Sequence, residues 1–453
     1  MRKRILSMIS CSVIIFLILL AAAPMAAAAE PAPSDRYTAT TADGVDLAIK
    51  HYKPSEKAQY RKGAQPIIMM PGTLFNFTEF DIYTPQDESY DLKLPDPLAP
   101  WAVGDEYIQE DPMRYYSLAY YLWSQGYDVW LANYRGEGRD PYTSGGTTGY
   151  SIDDLGIYDV PAIVEKVYEE TGQHPVWLGH SLGSTMTYVY LQGAKYGEGW
   201  NPHVVSDPAL VRERNAGKGK QSIKGLIDLD GPMCLPQYPE WTKLLYILTY
   251  IPWFMDLKYI FIEYGDHISE PLINLEQMLW AFFNAIGMPN LSPFNMLIMI
   301  NPDDIDLNVM KYIFKYTFDG MSTRLMAQYW DAAIYQKFRE DYLNGGWNMF
   351  NVCPAAPACG DGFYCYTDNL KKMSLPALIF ADDALDLTSP DDIYNTYLNK
   401  GRNVLDEFYR LPNTAHIEFP MGLNAPTDFY PKIGEWLKKL LNGPEPATTA
   451  KSG

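Results

Sequence analysis

The sequence predicts an α/β architecture: a mostly parallel sheet, covered by helices on both faces and interrupted by an inserted helical cap. Three observations carry that expectation. Short apolar runs alternate with helix-length stretches through the first half of the chain. A middle segment, from about Pro232 to Leu370, is rich in Trp, Tyr, Phe and Met at helical spacing and has no clear strand. The alternation then resumes from Pro376 almost to the carboxyl end. At 453 residues the chain is long enough for a large core with such an insertion.

Taken in order, "VDLAIKHYK" follows the turn signal Ala42-Asp43-Gly44 and reads as an edge strand. "PIIMM", from Pro66 to Met70, is the short uninterrupted apolar run expected of a strand buried on both faces. "MRYYSLAYYLWSQG" reads as a helix stopped at Gly126, and "YDVWLA" as the next strand. "YDVPAIVEKVYEETG" is a helix ending at Gly172, "VWLGH" a strand, "STMTYVYLQGAKYG" a helix and "IKGLIDLDG" another buried strand. After the cap come the strand "PALIFA", a helix near Asp391 to Gly401, the strand "LDEFYRL" and the helix "YPKIGEWLKKLL".

The first 29 residues read as an export signal, with "MRKR" as the positive region, an apolar run, and the small-residue site "APMAAAAE". The competing reading is an uncleaved anchor, because the apolar run approaches spanning length. The expected organisation is thus a signal (1–29), a first core part (30–231), a cap (232–370), a second core part (371–442) and a disordered tail (443–453). No later segment reads as a membrane span; "LLYILTYIPWFM" is too short and contains Pro252. The chain is expected to be secreted or held in the cell envelope.

The formal net charge of -19 argues against nucleic acid and anionic membranes as partners. Cys234, Cys353, Cys359 and Cys365 remain after the signal, an even number that permits disulfides in an exported chain and leaves three full pairings open. "CPAAPACGDGFYC" lacks the tight bite of a structural zinc site, and Asp303, Asp304 and Asp306 read as a solvated face. No metal and no cofactor is expected.

The chemistry centres on "VWLGHSLGST", a G-x-S-x-G pattern around Ser181. By composition alone a chain this long contains one such pattern about one time in seven. Its position between a strand and a helix gives it meaning as a nucleophile elbow. There the glycines permit a tight turn, and the helix starting at Leu182 presents its free amides and positive dipole end. A serine nucleophile needs a base, and in such a fold the order is Ser, then acid, then His. His51, His174 and His180 precede the serine, and the side chain of His180 is expected to point away. His203 falls in a polar insertion and His267 in the cap. His416, in the loop "LPNTAHIEF" after a late strand, is the candidate base. Leu182, directly after the nucleophile, supplies one backbone amide of an oxyanion hole.

Three blocks resemble the acid lipase family of α/β-hydrolases, which includes gastric and lysosomal lipases. "SLAYYLWSQGYDVWLANYRG" is similar to the stretch leading to that family's Asn-x-Arg-Gly turn. "YDVPAIVEKVYEETGQHPVWLGHSLGST" resembles its Tyr-Asp-x-Pro-Ala helix and serine elbow, and "HIEFPMGLNAPTDFYPKI" its histidine block. Leu182 stands where the family usually has Gln, Pro71 where it usually has His, and the cap does not resemble theirs. The resemblance implies an α/β-hydrolase fold and a serine hydrolase cleaving carboxylic esters, with lipid esters as substrate and transient contact with a lipid interface. "PGTLFN" matches the family's turn after the first buried strand, which implies Thr73 as the second oxyanion amide. In that turn the Asn76-Phe77-Thr78 sequon reads as coincidence. For the triad acid, "FADDALDLTSPDDI" offers Asp382, Asp383 and Asp386; the family's acid-Leu-x-x pattern favours Asp386, with Asp383 as its rival. Two other functions remain open: an acyltransferase with the same triad, and a non-catalytic binding protein on this fold.

Overall fold

In a computed structural model, residues 34–53, 64–146, 149–198, 203–235, 254–256, 258–286, 299–341, 363–382 and 403–442 are described. Eight strands form one sheet. They are β1 (Ser34–Thr40), β2 (Asp46–Tyr52), β3 (Pro66–Met70), β4 (Asp128–Ala132), β5 (Val176–His180), β6 (Gly225–Leu229), β7 (Ala377–Asp382) and β8 (Glu407–Leu411). Their spatial order is β1-β2-β4-β3-β5-β6-β7-β8. The pairs β1–β2 and β2–β4 are antiparallel, and every pair from β4 to β8 is parallel.

The strands read as unbroken apolar runs because the sheet separates two cores. Ile67, Met69, Leu178, Ile227, Leu229 and Phe380 face one core; Ile68, Met70, Trp177, Leu226 and Ile379 face the other. Alternate residues of one strand point to opposite faces, so burial on both sides demands apolar residues throughout. On the first face lie the helices α1 (Leu118–Ser124) and α6 (Tyr430–Asn442); on the second lie α2 (Val160–Thr171) and α3 (Leu182–Leu191). The spacing of Tyr430, Ile433, Trp436 and Leu437 puts four buried side chains on one stripe of α6. Each buried side chain of this size contributes about 1.5–3 kcal/mol relative to exposure.

Several expectations are modified. The "VDLAIKHYK" strand is not at the edge: β2 is flanked by β1 and β4, and the edge belongs to β1, whose largely accessible, polar residues gave no strand signal. The helix expected over "MRYYSLAYYLWSQG" is broken at Ser117. There the hydroxyl caps α1 through the Tyr120 amide at 3.1 Å and donates to the Phe80 carbonyl at 2.8 Å. The "GAKYG" end of the helix expected over "STMTYVYLQGAKYG" instead forms a small antiparallel pair, Ala194–Tyr196 with Val204–Ser206.

The chain between β6 and β7 contributes α4 (Lys258–Ala285) and α5 (Thr323–Tyr335), with short helical turns at Pro302–Asp304, Leu307–Tyr312 and Ile313–Thr317. Against the expectation of no strand, it also holds a small antiparallel pair of Phe254–Asp256 with Gly320–Ser322. None of the described helices is long and apolar enough to cross a membrane. Cys365 is disulfide-bonded and Cys234 is buried. Cys353, Cys359, the 1–29 signal, the 443–453 tail and the helix expected near Asp391 lie outside the described residues.

Candidate active site

The site forms at the carboxyl ends of the parallel strands. β5 ends at His180, and Ser181 follows with φ 49° and ψ -113°, outside the comfortable region for a side chain other than glycine. Such a conformation costs about 1–3 kcal/mol and persists only where surrounding contacts enforce it. Here they are explicit. The Ser181 amide donates to the Leu229 carbonyl at 2.9 Å, and the Ser184 and Thr185 amides return to the Ser181 carbonyl at 3.0 and 3.1 Å. A Cβ at Gly179 would lie 2.4 Å from the Gly183 carbonyl carbon, and one at Gly183 would lie 2.2 Å from the Met70 carbonyl oxygen. Neither approach tolerates a methyl group. The two glycines allow helix α3 to start directly against β3 and β5.

His416 arrives on the loop between β8 and α6. Its Nε2 is 2.8 Å from Ser181 Oγ and its Nδ1 is 2.5 Å from Asp230 Oδ2. Ser181, His416 and Asp230 are all buried. Asp230 follows β6 just as Ser181 follows β5, and the pairing of His180 with Leu229 puts the two residues at one level of adjacent strands. Its other oxygen, Oδ1, accepts the Asp382 amide from the end of β7 at 3.2 Å, which fixes the carboxylate. Burial pulls the His416 pKa down; contact with Asp230 opposes this, and the neighbouring His180 adds to the lowering.

The structure thus brings together Ser181 and His416, and the carboxylate at Nδ1 is that of Asp230, a residue the sequence reading did not select. Asp386 and Asp383 lie outside the described residues. The chain order Ser, acid, His does not separate these candidates, since Asp230 satisfies it as well as Asp386. The available signal was "LIDLDG": an acid at the carboxyl end of the strand that follows the elbow. Asp382, the third acid considered, is buried at the end of β7 and contributes its backbone amide to Asp230.

Leu182 is the first residue of α3, and Thr73 lies in the turn after β3. That turn is tightly constrained. A Cβ at Gly72 would meet Ser181 Cβ at 3.3 Å, so the turn lies against the nucleophile. The Tyr134 hydroxyl donates to the Gly72 carbonyl at 3.1 Å. The peptide is planar and trans, so holding this carbonyl also sets the direction of the Thr73 N–H on its opposite side. Glu79 Oε1 accepts the Gly72 amide at 3.1 Å. His180 does not point away from the site: its ring centroid lies 5.0 Å from that of His416.

Chain from between β6 and β7 clasps both loops. Phe75 and Phe318 form an isolated antiparallel bridge, the Asp319 amide donates to the Leu74 carbonyl at 2.6 Å, and Thr73 Oγ1 lies 3.1 Å from the Tyr329 hydroxyl of α5. Asn76 is buried and donates to the Tyr316 carbonyl at 2.9 Å, which agrees with treating the sequon as coincidence. On the other side, the Ile417 amide donates to the Met299 carbonyl at 3.1 Å. Asp304, expected on a solvated face, is instead buried and accepts the Asn424 side chain at 2.7 Å. Among the described residues no group of three or more potential metal ligands converges.

A family model described as serine aminopeptidase, S33, a hydrolase family, matches residues 108–242, a stretch that holds Ser181 and Asp230 but not His416. Lipase member N of Mus musculus is 25% identical over 430 residues, covering 90% of this chain and 88% of that protein. Gastric triacylglycerol lipase of Homo sapiens is 23% identical over 412 residues, covering 88% of this chain and 87% of its own length. Lysosomal acid lipase/cholesteryl ester hydrolase of Homo sapiens is 22% identical over 424 residues, covering 90% and 88%. The protein is a lipase- or esterase-like α/β-hydrolase.

Proposed function

Because acid lipase homologues match this chain over about nine-tenths of its length, we infer that it hydrolyses carboxylic esters of lipids through an acyl-enzyme on Ser181. The single observation that carries this reading is the contact series Ser181 Oγ–His416 Nε2 at 2.8 Å and His416 Nδ1–Asp230 Oδ2 at 2.5 Å. His416 takes the Ser181 proton as Oγ attacks the ester carbonyl. The Thr73 and Leu182 amides hold the developing oxyanion. The imidazolium, stabilised by Asp230, protonates the departing alcohol. Water then repeats the sequence on the acyl-enzyme and releases the acid. Asp230 takes the role of triad acid in this scheme, with Asp386 as the alternative that sequence favours. The chemistry needs no metal or organic cofactor.

The export signal over residues 1–29 puts the enzyme outside the cytoplasm, in the secreted or envelope fraction. The segment between β6 and β7 is rich in aromatic and Met residues, a composition that favours apolar acyl chains. Esters of medium or long acyl chains should therefore exceed acetate in kcat/KM. A series of p-nitrophenyl esters alongside emulsified triglyceride tests this, and rates that fall steadily with chain length overturn it. A fluorophosphonate probe should label wild type at Ser181 and leave S181A unlabelled; failure to label the wild type returns the fold to a binding role. Alcohols added to the assay separate hydrolysis from acyl transfer by product analysis.

A further inference from the structure

Behind the Ser181–His416 pair lies a second buried pair whose contacts reach both moving parts of the reaction. Glu79, in the short turn Phe77–Glu79, and His180, the last residue of β5, are both fully enclosed. Glu79 Oε2 is 3.1 Å from His180 Nδ1, and Glu79 Oε1 accepts the Gly72 amide at 3.1 Å. On its other side, His180 Nε2 donates to the backbone carbonyl of His416 itself at 2.8 Å. One continuous chain of hydrogen bonds therefore runs from the oxyanion turn, through Glu79 and His180, to the loop that carries the base.

We propose that the Glu79–His180 pair positions the His416 loop and the Gly72–Thr73 turn relative to Ser181, and that a positive His180 ring beside His416 disfavours a second positive charge there. This rests on the assignment of Ser181 and His416 as nucleophile and base. Glu79 and His180 are positioning residues, since neither reaches the reacting atoms. The carbonyl of His416 accepts a hydrogen bond only from an N–H, so His180 Nε2 must carry a proton. The contact between Glu79 and Nδ1 needs a proton between the two, and carried by the ring that proton makes an imidazolium against a carboxylate. Burial pulls the His180 pKa down, but Glu79, the His416 carbonyl and Asp230 together offset it and the net direction is upward. The Glu79 pKa is raised by burial, against the pull of His180. Among the described residues, the charged and titratable groups that face His180 are Glu79 from the oxyanion side, His416 from the base loop and Asp230 from the end of β6. A positive ring 5.0 Å from the His416 ring disfavours a second positive charge there, which agrees with the downward contribution of His180 to the His416 pKa.

Three near-isosteric variants separate position from charge. E79Q keeps an acceptor for the Gly72 amide and a donor for a neutral His180, but removes the charged pair. H180N keeps a donor toward Glu79 and loses the one toward the His416 carbonyl. H180Q restores a donor at the far position. Turnover is measured per site labelled by fluorophosphonate, across pH, with a soluble ester. We expect H180N to lose about ten- to a hundredfold in kcat with KM little changed, as displacing a catalytic group by a fraction of an ångström to an ångström does. H180Q should recover part of that loss. E79Q should retain most of the plateau kcat while the acid limb of its kcat/KM profile moves to higher pH. Unchanged kcat per labelled site in H180N, together with an unmoved acid limb in E79Q, overturns the proposal even if less protein folds. Absence of label on the wild type overturns the nucleophile assignment instead, and this proposal with it.

Discussion

Asp230 is the residue whose role most changes the picture of this site. Its two oxygens have different partners, Oδ2 facing His416 Nδ1 at 2.5 Å and Oδ1 accepting the Asp382 amide at 3.2 Å. That asymmetry makes D230N informative. The asparagine oxygen must accept the Asp382 amide, which turns its NH2 toward Nδ1 and favours the imidazole tautomer protonated at Nε2. A ring protonated at Nε2 cannot take the serine proton. The expected result is a loss of about 10³–10⁴-fold in kcat at neutral pH with the fold retained. D386N, measured beside it, should keep near-wild-type turnover; the reverse result hands the acid role to the β7 loop. S181A and H416A should each remove activity to a similar extent, because residues acting as one unit do not lose function additively.

At the scale of elements, the strained serine depends on β3, β5 and α3 meeting at a distance only glycine allows. G183A would force its methyl onto the Met70 carbonyl oxygen, 2.2 Å from the ideal Cβ position, and must push α3 off the sheet. We expect it to be poorly folded or, where folded, at least about a hundredfold slower, because the displacement moves Ser181 and the Leu182 amide together. G172A is the control. Gly172 ends α2 with φ 70° and has nothing within 4 Å of its Cβ position, so alanine there should cost only about 1 kcal/mol of stability. Its kcat should not change. Thermal melts and turnover per labelled site on both variants check the contrast.

Over the whole molecule, burial of carboxyl groups sets how stability responds to pH. Burial, with Asp341 nearby, raises Asp153 to about 8; burial also raises Asp228 to about 7 and Asp304 to about 6. In each case the folded state holds a proton that the unfolded chain releases near pH 4. Stability from these groups is therefore present in full below about pH 4 and is lost as pH rises from there to about pH 8. The net charge of -19 acts in the same direction, since self-repulsion falls as carboxylates are protonated. The melting temperature should be higher at pH 5 than at pH 8, and D153N should flatten the upper part of that dependence. A melting temperature that rises steadily from pH 5 to pH 8 would contradict this account.

What the sequence determined by itself was whatever is local or periodic. The apolar runs of β3 to β7 announce burial on both faces, and the glycines around Ser181 announce a turn that tolerates no Cβ. Exclusion by chain position leads to His416. Polar β1 escaped notice because an edge strand beside solvent needs no apolar face. Tertiary structure alone decided which groups meet. The sheet register sets Asp230 level with Ser181, and no feature within "LIDLDG" reveals that register. Glu79 and His180 are 101 residues apart and look unremarkable in sequence. Only the packing of β3, β5 and the base loop turns them into a buried pair. The physical reason is range: propensity and periodicity act over a few residues, whereas a hydrogen-bonded site is assembled from chain ends that the sheet brings together.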